Sequence, residues 1–272
     1  MNYKFLIMKK TLCFFGALIL TITSCSTNDN DSGTAETAIL PKTVKFSKPD
    51  YPSENTTSTI IYTGNKLVNI TDKERRTDFT YEGNVIVKMI EYDVTNGDKE
   101  EEESYSYTNG KLTSTLYARN FTSKYPFGQY KGRYTYTYNL DGTVKKETYS
   151  INAATGVESK DDYSEIYTFQ NGNLVKLVAT DQSSGLSSVR TSLYEYDAKN
   201  NPLKNVLGYN LLIDAGDCSV NNLTKHSYSY SGNAASYSYK TVYEYNDKGY
   251  PTKATLYMQD GVAVSEITEY SY

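Results

Sequence analysis

His226 is the sole histidine of the 272-residue chain, so a catalytic triad, a histidine metal cage or an imidazole base would have to use it. It sits in LTKHSYSY, a strand-like run in which a histidine is more often packed than reactive. Paired carboxylates are the other catalytic option, because a glycoside hydrolase needs only two of them, roughly 5 to 10 Å apart. Asp161, Asp162, Glu165, Asp214 and Asp217 are candidates by abundance, and no spacing singles out a pair. Gly-rich phosphate loops, paired cysteines and HExxH are missing, and Gly33 falls at the wrong spacing for a calcium loop. We expect no cofactor, no metal and no enzyme. The abundant functional side chain is tyrosine, 29 of 272 against eight Phe and no Trp. Tyr134, Tyr136 and Tyr138 place three rings on one strand face, and Tyr194 and Tyr196 add two more. These five form a candidate ligand platform, where sugar C–H faces stack on rings and phenols bond to sugar hydroxyls. The same spacing also builds a ligand-free cross-strand ladder, each aromatic pair contributing about 0.2–1 kcal/mol. The recurrence of tyrosine through the whole chain favours the ladder.

The N-terminus carries a second kind of chemistry. Lys4, Lys9 and Lys10 precede the apolar run TLCFFGALILTIT, which has signal-peptide length and falls short of the roughly 20 residues of a spanning helix. The run ends in Ile22-Thr23-Ser24-Cys25, which resembles the bacterial lipobox. The resemblance implies cleavage before Cys25, diacylglycerol on its thiol and attachment to a membrane by lipid alone; a simple secretory signal and an uncleaved anchor are the alternatives. Each buried methylene contributes about 0.8 kcal/mol, so two or more acyl chains hold firmly. Of the other cysteines, Cys13 lies in the leader and Cys218 would be the one free thiol, a small semi-buried residue with no disulfide partner. STNDNDSGTAETA after Cys25 reads as a flexible polar tether. Its acids also resemble the surface-export signal of Bacteroidetes lipoproteins, which implies an outer-membrane protein facing outward. We therefore expect a signal peptide over 1–24, a tether over 25–50 and one folded unit over 51–272. Without the three leader lysines the charge falls from −4 to −7, which disfavours nucleic-acid partners.

The elements that position these side chains follow from one recurring phrase. Two aromatics at alternate positions precede a short Gly or Asn turn and then an aliphatic residue. It occurs at Tyr62–Gly64–Leu67, Phe79/Tyr81–Gly83–Val85, Tyr105/Tyr107–Gly110–Leu112 and Tyr136/Tyr138–Gly142–Val144. It returns at Tyr167/Phe169–Gly172–Leu174 and Tyr194/Tyr196–Asn200–Leu203, with degenerate copies at Tyr228/Tyr230–Gly232 and Tyr243/Tyr245–Gly249. Each phrase predicts a β-hairpin. Looser turns are expected near Gly97, Gly128, Gly156, Gly185 and Gly216, about 30 residues apart. Strands joined by short turns are antiparallel, so the chain is all-β: a meander of roughly fifteen strands, closing as a curled sheet or open barrel. Trailing strands would alternate Leu112, Ser114, Leu116; Leu174, Lys176, Val178; and Leu203, Asn205, Leu207. The acidic run Glu100–Glu103 reads as a charged hairpin arm that deters edge pairing.

The copies YEYDAKNNPL from Tyr194 and YEYNDKG from Tyr243 resemble YD repeats of RHS-type proteins. That resemblance implies an extracellular β ribbon with carbohydrate or cell-surface binding. Only Asp197 keeps the aspartate after the second tyrosine, and no long array is present. The chain as a whole resembles the Tyr-rich lipoproteins of Bacteroidetes. Three readings follow: a lipid-anchored binding or display module for a glycan, an assembly lipoprotein that recruits a protein by strand addition to sheet edges, or a carboxylate hydrolase.

Overall fold

The computed structural model describes residues 38–185, 187–213, 219–232 and 236–272. The first half of the sheet comprises β1 (Thr43–Ser47), β2 (Thr56–Thr63), β3 (Lys66–Thr71), β4 (Arg75–Glu82), β5 (Val85–Asp93), β6 (Lys99–Thr108), β7 (Lys111–Arg119) and β8 (Tyr130–Tyr138). The second half comprises β9 (Val144–Ile151), β10 (Glu158–Gln170), β11 (Asn173–Asp181), β12 (Ser188–Tyr196), β13 (Leu223–Tyr230), β14 (Ser236–Tyr245), β15 (Pro251–Tyr257) and β16 (Val264–Ser271). Each strand pairs antiparallel with the next, and β1 pairs with β16, so the meander closes into a sixteen-stranded barrel. The all-β meander expected from the hairpin phrases is what forms.

The hairpins form because the turn chemistry demands them. Asn109 and Gly110 have φ of 52° and 72°, and Asn171 and Gly172 have 52° and 77°. Two successive positive φ values match the right-handed twist of the flanking strands. Across these two turns, and across those at Gly64 and Gly83 where the glycine alone takes positive φ, the last aromatic faces an aliphatic: Tyr62 opposite Leu67, Tyr81 opposite Ile86 (not Val85), Tyr107 opposite Leu112 and Phe169 opposite Leu174. All of these point into the barrel, where Leu67, Ile86 and Leu112 are fully buried.

One feature departs from simple alternation. The register shifts beside that first pair in the same four hairpins. One residue of the trailing strand is left unpaired there, a β-bulge that flips the parity beyond it. The inward residues of β7 are therefore Leu112, Thr115, Tyr117 and Arg119, and Leu116 is exposed. In β11 they are Leu174, Leu177 and Ala179, with Val178 on the outer face.

Three other expectations change. The phrase beginning at Tyr194 is not closed by a tight turn. The chain leaves the wall after Tyr196 and rejoins it at Leu223, so Leu203, Asn205 and Leu207 belong to an inserted segment and not to a strand. β13 is then a trailing strand, and the Gly232 turn belongs to the looser set; Gly216 lies outside the described residues. Thr43–Ser47 falls within the stretch expected as tether, yet Val44 is 3% exposed and β1 is the strand that closes the barrel. Its TVKFS sequence is too short to announce itself. Finally, closure leaves no unpaired edge among the described strands. Among the described strands, then, strand addition finds no free edge and Glu100–Glu103 guards none.

Candidate functional site

All tight turns lie at one end of the barrel and all looser turns at the other. The inserted segment closes the tight-turn end. Asn201, Pro202, Leu203, Val206, Tyr209 and Leu212 are buried in it. It is tied to hairpins all around the rim: Leu207 N–H donates to Asn65 O at 2.9 Å, Val220 N–H to Gly172 O at 3.3 Å, and Asn200 N–H to Gly249 O at 3.0 Å. Tyr209 packs on Phe79 at 6.2 Å, and Gly208 (φ 71°) lies against Asn84. Asp197, the one aspartate in YD register, anchors the start of the segment by accepting from the Asn222 main chain at 3.1 Å and from the Tyr245 phenol. The segment is a plug.

Above the plug the phenols bind the wall itself. Tyr107 Oη donates to Ile86 O at 2.7 Å, Tyr196 Oη to Leu174 O at 2.8 Å, and Tyr272 Oη to Pro251 O at 2.9 Å. Each reaches back to the beginning of the preceding trailing strand, β5, β11 or β15. Burial pushes Tyr81 up to about 12 and raises Tyr62, Tyr107 and Tyr272 further.

Midway along the lumen lies a buried ion pair. Lys146 Nζ is 3.2 Å from Glu165 Oε2, each side chain 10% exposed, and Glu165 also accepts from Tyr163 and Tyr167 at 2.6 Å. Burial, reinforced by the Glu165 charge, raises the Tyr163 phenol.

The half nearer the looser turns has two unlike walls, opposite each other in the strand order. On β4–β7, Arg75 pairs with Glu91 at 2.8 Å and Arg119 with Glu101 at 2.6 Å, around a cleft of about 410 Å³ under Asn96, Asn120 and Phe121. Burial raises the Glu91 carboxyl; Arg75 opposes this, and Glu101 and Glu100 add to it. On β12–β14 the wall is aromatic. His226 stacks on Tyr194 at 4.7 Å and 6°, with Tyr239 at 6.5 Å on its other side. Tyr228 stacks on Tyr237 at 4.9 Å, and Tyr230 stands at 89° to Tyr228.

The predicted site residues are thus dispersed along an inner surface. Tyr136 is 5% exposed, beside Thr115 at 3.2 Å. Tyr134 lies under the Lys146 ammonium at 4.0 Å and against Tyr117 at 5.0 Å, and Tyr138 lies under Lys111 at 4.7 Å. Tyr194 joins the aromatic wall, whereas Tyr196 is bound to Leu174. They pack inward instead of forming an exposed row. Among the carboxylates, Asp161 accepts from Ser150 at 2.7 Å, Asp162 is exposed and Glu165 is the buried ion-pair partner. Cys25, Cys218, Asp214 and Asp217 lie outside the described residues. No group of three or more His, Cys, Asp and Glu that could hold a metal occurs among the described residues. Sequence reasoning missed Tyr237, Tyr239 and Arg190 as wall residues. The signal was present in SYSYSGNAASYSYK, whose tyrosines alternate on both sides of a turn.

The outer face is charged. Lys45–Glu269, Lys88–Glu102, Lys225–Glu195 and Lys253–Glu244 pair along it at 2.6, 3.2, 2.6 and 3.1 Å. Its exposed apolar residues include Ile61, Leu116, Ile166 and Leu193, with Ile166 directly opposite Val178.

Fold and lumen define a closed antiparallel barrel with one plugged end, an aromatic interior and a hydrophilic exterior. The fold is shared with a porin-like protein from Bacteroides vulgatus, with a TM-score of 0.60 at 14% identity over 86% of this chain and 99% of that one. A porin-like protein from Bacteroides uniformis gives 0.49 at 11% identity over 85% and 97%. The TcdB2-TccC3-Cdc42 structure gives 0.26 at 13% identity over 78% of this chain and 13% of that chain. No protein-family model and no curated protein matches the chain in sequence.

Proposed function

We propose that this chain is a non-enzymatic binding module of the bacterial envelope, anchored by lipid on Cys25, with its barrel standing in water and its open half taking a ligand. The polarity of the wall carries the reading. A barrel that spans a bilayer needs an outward apolar band about 25 Å tall, and a lysine or arginine at mid-depth of that face costs about 2–4 kcal/mol. Here lysine–glutamate pairs such as Lys225–Glu195 and Lys253–Glu244 line the outer face, and the tyrosines of the core line the inner one. Such a barrel is stable in water and needs another device to remain at a membrane. The Ile22-Thr23-Ser24-Cys25 sequence supplies that device, and the chain joins the barrel at its plugged end, where Asn205 holds Ile39 O at 3.0 Å. The mouth then faces away from the anchor, on the outer membrane.

Fractionation tests the reading. The wild-type protein should sediment with membranes and incorporate labelled palmitate, and Cys25→Ala should be released by washing as a folded barrel. Retention of Cys25→Ala in washed membranes would show that the wall itself inserts, against the proposal.

A second reading, a module that holds a protein partner, is favoured by apolar side chains on the looser loops: Tyr51, Phe127, Val157 and Val262 are 61%, 75%, 64% and 79% exposed. Crosslinking in cells separates the two.

A further inference from the structure

The aromatic wall of β12–β14 differs from the other tyrosines of the lumen. Near the plug, phenols are committed to main-chain carbonyls one hairpin away. On this wall the tyrosines answer to one another: Tyr228 touches Tyr237, Tyr239 and Tyr230 at centroid distances of 4.9, 6.4 and 6.0 Å. The Tyr230 and Tyr237 hydroxyls form no hydrogen bond to another described residue. Rings stacked face to face across strands cover each other's faces, and the Tyr228 phenol is hydrogen-bonded to Tyr239. Tyr230 breaks the row, standing perpendicular to Tyr228 and 38% exposed near the mouth. The neighbouring inward positions are short hydroxyl residues, Ser188 and Ser192, and one guanidinium, Arg190, opposite Tyr230. The wall therefore combines phenol and serine hydroxyls, one partly exposed ring at its end and a single guanidinium.

We infer that this wall is a binding site for a neutral oligosaccharide entering through the open end, with Tyr230 stacking on a sugar ring and the Tyr237 hydroxyl bonding to sugar hydroxyls. The inference rests on the reading of the barrel as a binding module and gives that reading a site and a ligand class. Carbohydrate suits the chemistry: its C–H faces match an aromatic face, and its many hydroxyls match a row of phenols and serines. A strongly anionic ligand would meet only Arg190 here and the carboxylates of the opposite wall.

The test titrates maltohexaose, cellohexaose and mannohexaose into the full-length protein purified in detergent. Because the chain has no tryptophan, its intrinsic fluorescence reports tyrosine directly; calorimetry gives the affinity. Saturable binding of at least one sugar is expected. Tyr230→Ala and Tyr237→Ala should each weaken it about tenfold, and Tyr237→Phe should weaken it through loss of the hydroxyl alone. Tyr107→Phe should bind like wild type. Circular dichroism checks that each variant is folded. Failure of all three sugars to bind overturns the inference. Binding that survives both alanine substitutions overturns the site while leaving a binding module in place, and the membrane fractionation of Cys25→Ala reports on the anchor independently of either result.

Discussion

Tyr107 donates its phenolic hydroxyl to the main-chain carbonyl of Ile86 at 2.7 Å, across the inside of the barrel wall. Ile86 is fully buried and sits at the start of a trailing strand, next to the bulge that interrupts its ladder. A buried carbonyl there needs a donor, and water does not reach it. Phenylalanine would fill the same volume and leave the oxygen unsatisfied. The same link joins Tyr196 to Leu174 and Tyr272 to Pro251, so the repeated tyrosine fastens each hairpin to its predecessor.

Tyr107→Phe should therefore lower stability by about 1–2 kcal/mol, the cost of one orphaned buried acceptor. Tyr149→Phe, on the outer face, should change it by less than about 0.5 kcal/mol. Chemical denaturation of the two variants gives the comparison. Equal effects would mean that the hydroxyl link contributes nothing.

Lys146 and Glu165 share one buried site. Lys146→Met leaves the carboxylate among apolar and phenolic groups and should cost about 3 kcal/mol, whereas Lys146→Met with Glu165→Leu should recover most of that loss. A double-mutant cycle by denaturant unfolding measures the coupling; additive losses would contradict it.

Gly208→Ala should loosen the plug. The residue has φ of +71°, and a Cβ there would fall 2.4 Å from Asn84 O. Strain and clash together should cost more than about 2 kcal/mol. Gly110→Ala, with the same sign of φ but open space around it, should cost about 1 kcal/mol. Proteolysis within the segment after Tyr196 should accelerate in Gly208→Ala alone.

Alkali should unfold the barrel cooperatively. Burial raises Tyr81 from 10 to about 12, and raises Tyr62, Tyr107 and Tyr272 in the same direction. A raised folded-state pKa means that the folded chain keeps protons which the unfolded chain releases. The stabilisation is complete below pH 10 and is lost as pH rises through the folded values. Phenolate absorbance should lag a simple tyrosine titration and then jump together with the loss of β-sheet circular dichroism. A smooth titration through 10, with the sheet intact, would show that these phenols are not buried.

Much of the architecture is local and so was legible. Asn109-Gly110 and Asn171-Gly172 dictate hairpins whatever surrounds them, since few other dipeptides tolerate two positive φ values. Alternate tyrosines mark a strand and put their rings on one face. These signals determined an all-β meander, its repeat of about 30 residues and the looser turns at Gly97, Gly128, Gly156 and Gly185.

The tertiary structure decided everything that depends on distant partners. Closure joins Thr43 to Ser271, 228 residues apart, and no local pattern specifies whether a twisting sheet meets its own edge. The bulge after each first aliphatic moved Leu116 outside and Leu177 inside, because parity depends on pairing with the neighbouring strand. The segment after Tyr196 kept the hairpin phrase in sequence but became the plug, since Leu203, Val206 and Tyr209 find a better apolar environment inside the barrel end than on its wall. Which way the tyrosines face was set by closure as well: the concave side of a closed sheet is where large rings bury most surface, while pairs such as Lys45–Glu269 and Lys253–Glu244 fall on the convex side.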